Sequence, residues 1–154
     1  MMRRVILLLA TWFGAGYSPV APGTAGTLGA IPLLLLYSLL TAVMYGAGLG
    51  ALALLACWVA GRAEEILGEK DSRPIVIDEV VGFLVTMAYV PITWVHVLMG
   101  FVLFRGFDIA KPFPIRMMER NISGGWGIVI DDVVAGIYAQ ATLRILVSAL
   151  DVVS

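Results

Sequence analysis

The sequence predicts an all-α protein, a compact helical bundle whose hydrophobic helices are embedded in a membrane. Sixty per cent of its 154 residues are hydrophobic and only 14% are charged, whereas about a quarter of a typical soluble chain is charged. Its mean hydropathy is +0.96. The charges come in blocks that separate long apolar stretches, as in chains that place helices in a bilayer. The length fits a single domain over residues 1–154.

The composition also excludes several classes of function. The net charge of −1 gives no positive field that would attract nucleic acid. A single cysteine, Cys57, excludes an internal disulfide, and we expect it to be a small buried side chain. His96 is the only histidine, so neither a zinc site nor catalysis by a histidine pair is expected.

Near its start, after two methionines, the chain has Arg3 and Arg4, followed by an apolar run over residues 5–10. This arrangement resembles a signal peptide. The apolar run is short, however, and a Trp-Phe-Gly sequence at 12–14 stands where small residues would precede a cleavage site. We therefore expect this segment to be retained.

Two helices are predicted in the first apolar stretch. Residues 18–27 (SPVAPGTAGT) are too rich in Pro and Gly for a helix, so Thr27 is predicted to cap a helix from Leu28 to Tyr45. Glycines at 46, 48 and 50 predict a turn, and a second helix is expected from Leu49 to Leu67.

The next uncharged stretch, Val80 to Phe104, contains Pro91 and is either one kinked helix or two short arms. Lys and Arg occur in the flanking charged blocks and at Arg3-Arg4, but not in the turn around Pro91. The positive-inside rule then favours both blocks lying on the cytoplasmic side. We therefore predict a hairpin whose arms are too short to cross a bilayer completely, and a last helix from Asp132 to Leu150.

An acidic phrase occurs twice in the chain. Residues 75–82 read IVIDEVVG and residues 128–136 read IVIDDVVAG, so each copy places two adjacent carboxylates at the edge of an apolar stretch. Burying carboxylates is costly without a cation, and Mg²⁺ prefers carboxylate oxygens. The pattern therefore indicates a metal site. The alternative is that both pairs cap helix N-termini.

Two further segments suggest phosphate binding. The glycine-rich residues 22–27 lead into a predicted helix start, where backbone N–H groups can meet an anion, or they form an ordinary helix entrance. Arg105, Asp108 and Lys111 follow one another at three-residue spacing and form one stripe on a helix that Pro112 ends. This stripe either binds anionic oxygens or is a structural ladder of ion pairs. Three glycines at 124–127 indicate close backbone packing or the approach of a ligand.

Taken in order, the segments SPVAPGTAGT, IVIDEVVG, FRGFDIAKPFPI and GGWGIVIDDVVAG resemble the phosphatidylglycerophosphatase A family, over about Phe13 to Ala139. These are bacterial membrane enzymes that use Mg²⁺ to convert phosphatidylglycerophosphate into phosphatidylglycerol. The resemblance implies an all-helical fold in the inner membrane with its active site facing the cytoplasm. Two positions depart from the family pattern: Trp126 stands among the glycines, and Asp71-Ser72 replaces an Asp-Pro.

The resemblance and the residue chemistry together give a set of expected roles. The implied residues are Asp78, Glu79, Asp108, Lys111, Asp131 and Asp132. We expect Mg²⁺ on Asp78, Glu79, Asp131 and Asp132, and catalytic roles for Asp108, Asp131 and Lys111. Asp108 is expected to be either the base that activates water or a further metal ligand. Phosphate is expected on Thr24, Gly26, Arg105 and Lys111, with the nucleophile left open.

The expected partners are the lipid substrate and the membrane, with a homodimer left open. The rival hypotheses are a small ion carrier or a non-catalytic membrane subunit, and a purely structural bundle. An ion carrier would be expected to place its acids midway along a helix rather than at helix starts.

Overall fold

The computed structural model describes residues 1–153, and the side chains of all of these except Glu119, Arg120 and residues 151–153. This part of the chain is helical without any strand, which confirms the predicted all-α class. Its helices are α1 (Met2–Ala10), α2 (Pro22–Gly29), α3 (Ile31–Tyr37), α4 (Ala42–Leu67), α5 (Ile77–Met87), α6 (Trp94–Ala110), α7 (Ile115–Asn121) and α8 (Gly124–Val153).

The prediction of a non-helical loop before Thr27 is wrong, because α2 occupies Pro22–Gly29. Pro22 stands at the first helical position, where its missing N–H is no loss. Thr27 is a buried residue inside the helix rather than its cap, and its hydroxyl donates a 2.8 Å hydrogen bond to the carbonyl of Gly23. The predicted helix Leu28–Tyr45 is correspondingly broken into the end of α2, α3 and the start of α4.

The predicted turn at Gly46, Gly48 and Gly50 is also wrong, because α4 runs through it without interruption. Each glycine costs a helix about 1 kcal/mol relative to alanine, and the long apolar segment offsets that cost. Two of these glycines give room to aromatic neighbours. A Cβ on Gly46 would lie 2.9 Å from the hydroxyl oxygen of Tyr89, and one on Gly48 3.2 Å from that of Tyr37.

The predicted bend at Pro91 is confirmed. Helix α5 ends at Met87, Pro91 lies in the connection, and α6 begins after Thr93, whose hydroxyl caps it by accepting a 3.1 Å hydrogen bond from the His96 N–H. With 11 residues, α5 is about 16 Å long and is too short to cross a bilayer. The two acidic phrases therefore start on the same side of the molecule.

Helix α8 begins at Gly124, eight residues before the predicted start at Asp132. The glycines at its start allow close packing against α4, since a Cβ on Gly125 would overlap the carbonyl oxygen of Cys57. Trp126 points outward and is 58% exposed, so a large residue is accommodated among these glycines. As a result, Asp131 and Asp132 lie in the third turn of α8 rather than at its start.

Two helices in the described part of the chain, α4 and α8, are long and apolar enough to cross a membrane. Much of their apolar surface faces outward, including Leu54, Trp58 and Ile145. The buried side chains form two clusters, one around Val59, Ile77 and Val129 and one around Phe83, Phe104 and Leu143. Helix α5 contributes to both clusters and therefore lies at the centre of the bundle.

Candidate active site

Three carboxylates from the two acidic phrases meet in the interior. Asp78, Glu79 and Asp132 each offer one oxygen atom, and these three atoms lie within 4.8 Å of one another. Asp78 and Asp132 are only 7% and 3% exposed. One buried oxygen of each residue (Asp78 Oδ1, Glu79 Oε2 and Asp132 Oδ2) has no hydrogen-bond partner among the described residues. Such a set is unfavourable by itself and suits a divalent cation.

A close crossing of α5 and α8 brings these residues together. Asp78 lies four residues before Gly82, and Asp132 lies four residues before Gly136. A Cβ on Gly136 would overlap the carbonyl oxygen of Gly82, and one on Gly82 would lie 2.8 Å from the carbonyl oxygen of Asp132. Thr86 joins the two backbones, donating to the carbonyls of Gly82 at 2.9 Å and Gly136 at 3.5 Å. The sequence repeat aligns Asp78 with Asp131. At the crossing of α5 and α8, however, the residue that occupies the position equivalent to Asp78 is Asp132.

Burial and like charge act together on the acidic pair of α5. Removal from water raises the pKa of Asp78 well above its usual range, and the negative charges of Glu79 and Asp132 raise it further. Burial also raises the pKa of Glu79, although the hydrogen bond with Asp78 and the charge of Arg105 oppose that shift. Without a cation, these carboxyl groups therefore lose their protons at a higher pH than solvent-exposed carboxyl groups do.

Arg105 connects this carboxylate cluster to α6. Its Nη1 atom donates a 2.5 Å hydrogen bond to Oδ2 of Asp108 and lies 3.8 Å from Oε1 of Glu79. Its Nε atom is buried without a hydrogen-bond partner among the described residues. The first turn of α2 packs directly on this group, since a Cβ on Gly23 would overlap Glu79 Oε1 and lie 2.9 Å from Arg105 Nη1.

Lys111 forms a second ion pair beside the cluster. It is the C-cap residue of α6, with a positive φ of 43°, and its Nζ donates a 2.8 Å hydrogen bond to Oδ2 of Asp131. Asp131 lies outside the group of three convergent carboxylates. The predicted stripe is therefore divided, with Arg105 bonded to Asp108 within α6 and Lys111 bonded across to α8.

These groups surround a cleft of about 280 Å³. It contains all the acidic and basic residues predicted for the site, but Thr24 and Gly26 do not line it. Gly26 faces Val76 instead, and Gly23 provides the glycine at the cleft wall. Its lining residues are Ala21, Pro22, Gly23, Asp71, Ser72, Arg73, Ile75, Asp78, Glu79, Arg105, Asp108, Lys111, Asp131 and Asp132.

The segment Asp71-Ser72-Arg73 was not predicted to line the site. It belongs to the connection between α4 and α5, where Ser72 is buried and donates a 3.1 Å hydrogen bond to Oε2 of Glu69. Asp71 has a positive φ of 49°, and its N–H donates a 3.1 Å hydrogen bond to Glu64. The sequence signals were the dense charge of residues 62–79 and the Asp-Pro of the family pattern, which reads Asp71-Ser72 here. Neither signal shows which residues turn inward.

An N-cap side-chain bond does not account for the acids, although Asp78 and Glu79 do lie in the first turn of α5. The N-cap position of α5 is Val76, which makes no side-chain capping bond, and Asp131 and Asp132 lie well inside α8. The expectation that all four acids stand at helix starts is therefore wrong for α8. Position along a helix consequently no longer separates an enzyme from an ion carrier.

Comparison with known families makes that distinction. The family model described as Phosphatidylglycerophosphatase A matches residues 8–147. The chain belongs to the phosphatidylglycerophosphatase A family. The match spans both acidic phrases, the α6 stripe and the glycine-rich start of α8. Membership of the phosphatidylglycerophosphatase A family makes the chain a phosphatase.

Curated relatives agree with this assignment. The phosphatidylglycerophosphatase A of Escherichia coli K12 is 39% identical over 137 residues, covering 88% of this chain and 80% of the relative. The Haemophilus influenzae protein of the same name is 43% identical over 136 residues, covering 87% and 83%. A Bacteroides thetaiotaomicron protein, provisionally named a phosphatidylinositol-3-phosphatase, is 45% identical over 142 residues, covering 86% and 87%. No solved structure matches the chain.

Proposed function

We propose that this protein is a Mg²⁺-dependent phosphatase that hydrolyses phosphatidylglycerophosphate to phosphatidylglycerol and inorganic phosphate. The observation that supports it most is the buried group of Asp78, Glu79 and Asp132, each with an unpartnered oxygen, beside the cations Arg105 and Lys111. The relatives from Escherichia coli and Haemophilus influenzae are named for this substrate. In this proposal residues 1–154 form a single domain.

The donor set fits a hard divalent cation. All three convergent ligands are carboxylates, with no thiolate or imidazole to favour zinc. Asp131 stands next to the cluster and is proposed to hold the ion together with these three. A bound Mg²⁺ supplies positive charge that neutralises phosphate oxygens and lowers the pKa of water.

The two basic residues bind the phosphate of the substrate. Arg105 presents a planar guanidinium at the cleft wall, with side-chain exposure of 17%, and such a group matches a phosphate with paired hydrogen bonds. Lys111, with side-chain exposure of 22%, adds a point charge from the other end of the cleft. The backbone at the start of α2 is proposed to assist in binding the phosphate. Gly23 is its residue nearest the cluster, and Thr24 and Gly26 belong to the same helix.

Hydrolysis requires water to attack phosphorus while the bond between phosphorus and the glycerol oxygen breaks and that oxygen takes up a proton to become the hydroxyl of the product. Asp108 is proposed as the base that accepts the proton of that water, with its orientation fixed by Arg105. Asp131 keeps Lys111 at the cleft through their hydrogen bond. From there Lys111 stabilises the charge that develops on the phosphoryl oxygens.

We propose that the site lies at the membrane surface. Asp132 is the ninth residue of α8, about 12 Å from the start of that helix, so the cleft lies near one end of a helix that could cross a bilayer. We propose that this end faces the cytoplasm of a bacterial inner membrane, since Arg73, Arg105 and Lys111 from the two charged blocks line the cleft.

Phosphate release from phosphatidylglycerophosphate tests this function. Protein purified in detergent is expected to release phosphate with Mg²⁺, to stop when EDTA exceeds the metal, and to resume when Mg²⁺ is restored. Release that continues in EDTA would overturn the metal requirement. Absence of release with Mg²⁺ from protein with a cooperative thermal transition would overturn the substrate assignment.

The name of the Bacteroides thetaiotaomicron relative favours a second substrate, phosphatidylinositol 3-phosphate. That lipid also presents a phosphomonoester at the end of a phosphodiester-linked headgroup, so the same cleft chemistry applies to it. Assaying both lipids at equal surface concentration ranks them. A higher kcat/KM for the inositol lipid would replace the glycerol lipid as the proposed substrate.

A further inference from the structure

The cleft has a neighbouring pocket that the proposed chemistry does not use. We call it the α6–α7 pocket; it has a volume of about 500 Å³, and its walls include Lys111, Phe113, Arg116 and Met117. Lys111 lines both this pocket and the cleft. Lys111 is therefore common to the walls of the two cavities, which makes them neighbours.

The pocket combines a fixed positive charge with an apolar rim. Arg116 donates a 3.3 Å hydrogen bond through Nη2 to the carbonyl oxygen of Ala110, which tethers its guanidinium to the end of α6. Phe113 and Met117 are 79% and 48% exposed. The Phe113 backbone is itself tied to α8, because the Tyr138 hydroxyl donates a 3.1 Å hydrogen bond to its carbonyl.

We propose that the α6–α7 pocket is the subsite for the phosphodiester of a lipid substrate, with Arg116 as the residue that binds it. This inference rests on the proposed function. Phosphatidylglycerophosphate has a terminal phosphomonoester and an internal phosphodiester, joined by a three-carbon glycerol unit. With the monoester at the cluster, the diester lies beyond Lys111 against Arg116, and the acyl chains leave over Phe113 and Met117 toward the bilayer.

The other opening of the cleft is less suited to this part of the lipid. This second pocket shares Asp71 and Asp131 with the cleft, and its other charged lining residues are Glu64 and Lys70. Three carboxylates against one ammonium group leave it net negative and unfavourable for a phosphodiester, whereas the α6–α7 pocket offers a guanidinium and exposed apolar side chains. Charge complementarity therefore selects the pocket beside Arg116 for the lipid.

The test compares ligands that carry the diester, the monoester, or both. Arg116→Ala is expected to lower kcat/KM for phosphatidylglycerophosphate about tenfold, mainly through KM, as for the loss of one charged hydrogen bond at an open site. Inhibition by phosphatidylglycerol, which keeps only the diester, should weaken by a similar factor. Inhibition by inorganic phosphate should stay within about twofold, and Arg116→Lys should recover part of the loss.

The matched control is Arg62→Ala, which removes an exposed arginine paired with Glu65 on α4, and it should leave all three values unchanged. Equal weakening of inhibition by phosphate and by phosphatidylglycerol would overturn the inference, since Arg116 would then act on the monoester or on the membrane in general. Unchanged kinetics in Arg116→Ala, or no inhibition of the natural protein by phosphatidylglycerol, would also overturn it. No turnover of phosphatidylglycerophosphate by the natural protein would instead overturn the proposed function.

Discussion

Lys111 at the end of α6 donates a 2.8 Å hydrogen bond to Asp131 in α8, and both residues line the cleft beside the carboxylate cluster. The two residues are 20 positions apart in the sequence, and their hydrogen bond joins α6 to α8. It leaves Asp78, Glu79 and Asp132 as the convergent group. The two residues differ in exposure: the side chain of Asp131 is buried, whereas that of Lys111 is partly exposed to the cleft.

Removing the charge of Asp131 should abolish turnover without unfolding the protein. Asp131→Asn keeps the shape of the side chain but weakens its hold on Lys111, and we expect phosphate release to fall about 100-fold or more. Lys111→Met should have a comparable effect. Because Asp131 holds Lys111 in the cleft, the double variant should lose little more than Asp131→Asn alone. Additive losses would show that the two residues act independently.

Neutralising one carboxylate of the cluster should stabilise the metal-free protein while destroying its metal response. In Asp132→Asn, repulsion with Asp78 and Glu79 is reduced, so the melting temperature in EDTA should rise by a few degrees, on the order of 1 kcal/mol. Addition of Mg²⁺ should raise the melting temperature of the natural protein but not that of the variant. An equal Mg²⁺ response in both proteins would place the metal elsewhere.

The pH dependence of stability should follow from the raised pKa values of Asp78 and Glu79. In the unfolded chain these groups titrate at about 3.9 and 4.3. Because the folded-state pKa values are higher, the folded state binds more protons, and the resulting stability is full below about pH 4. It is lost as pH rises through the folded-state pKa values.

This dependence is measured by the melting temperature in EDTA between pH 5 and pH 8. The metal-free protein should melt at a lower temperature at the higher pH. Saturating Mg²⁺ should reduce that difference, because the metal replaces the protons. A melting temperature in EDTA that rises steadily over this range would contradict the prediction.

The glycine crossing between α5 and α8 should tolerate no side chain. Gly136→Ala places a methyl group against the carbonyl oxygen of Gly82, and overpacking of this kind costs about 1–3 kcal/mol. Because the crossing also positions Asp78 and Asp132, activity should fall together with thermal stability. Gly50→Ala in α4 is the control, since a Cβ there meets nothing within 4 Å, and it should be neutral or stabilising.

A methyl group on Gly23 should impair catalysis more than folding. The new Cβ of Gly23→Ala would overlap Glu79 Oε1 and lie 2.9 Å from Arg105 Nη1, so it displaces flexible side chains rather than backbone. We expect kcat/KM to fall about tenfold or more, with a melting temperature within a few degrees of the natural protein. Unchanged kinetics would show that the start of α2 does not constrain Arg105.

The sequence predicted the hairpin around Pro91 and the clustering of acidic and basic residues on one side, because proline and charge act locally and determine where apolar helices end. It did not predict α2 or the continuous α4. Glycine and proline usually break helices, and here packing against Tyr37, Tyr89 and Val76 requires small residues inside them. At these positions tertiary packing outweighs the low helix propensity of glycine and proline.

The sequence by itself determined the helical class, the apolar character and the residue types of the site. Its motifs also indicated the phosphatidylglycerophosphatase A family, to which the family match assigns the chain. Only the tertiary structure decided which carboxylates converge. The repeat pairs Asp78 with Asp131, but the crossing at Gly82 and Gly136 pairs Asp78 with Asp132 and leaves Asp131 to Lys111. Contacts between helices more than 50 residues apart depend on how their surfaces pack, and a linear pattern of residues does not specify that packing.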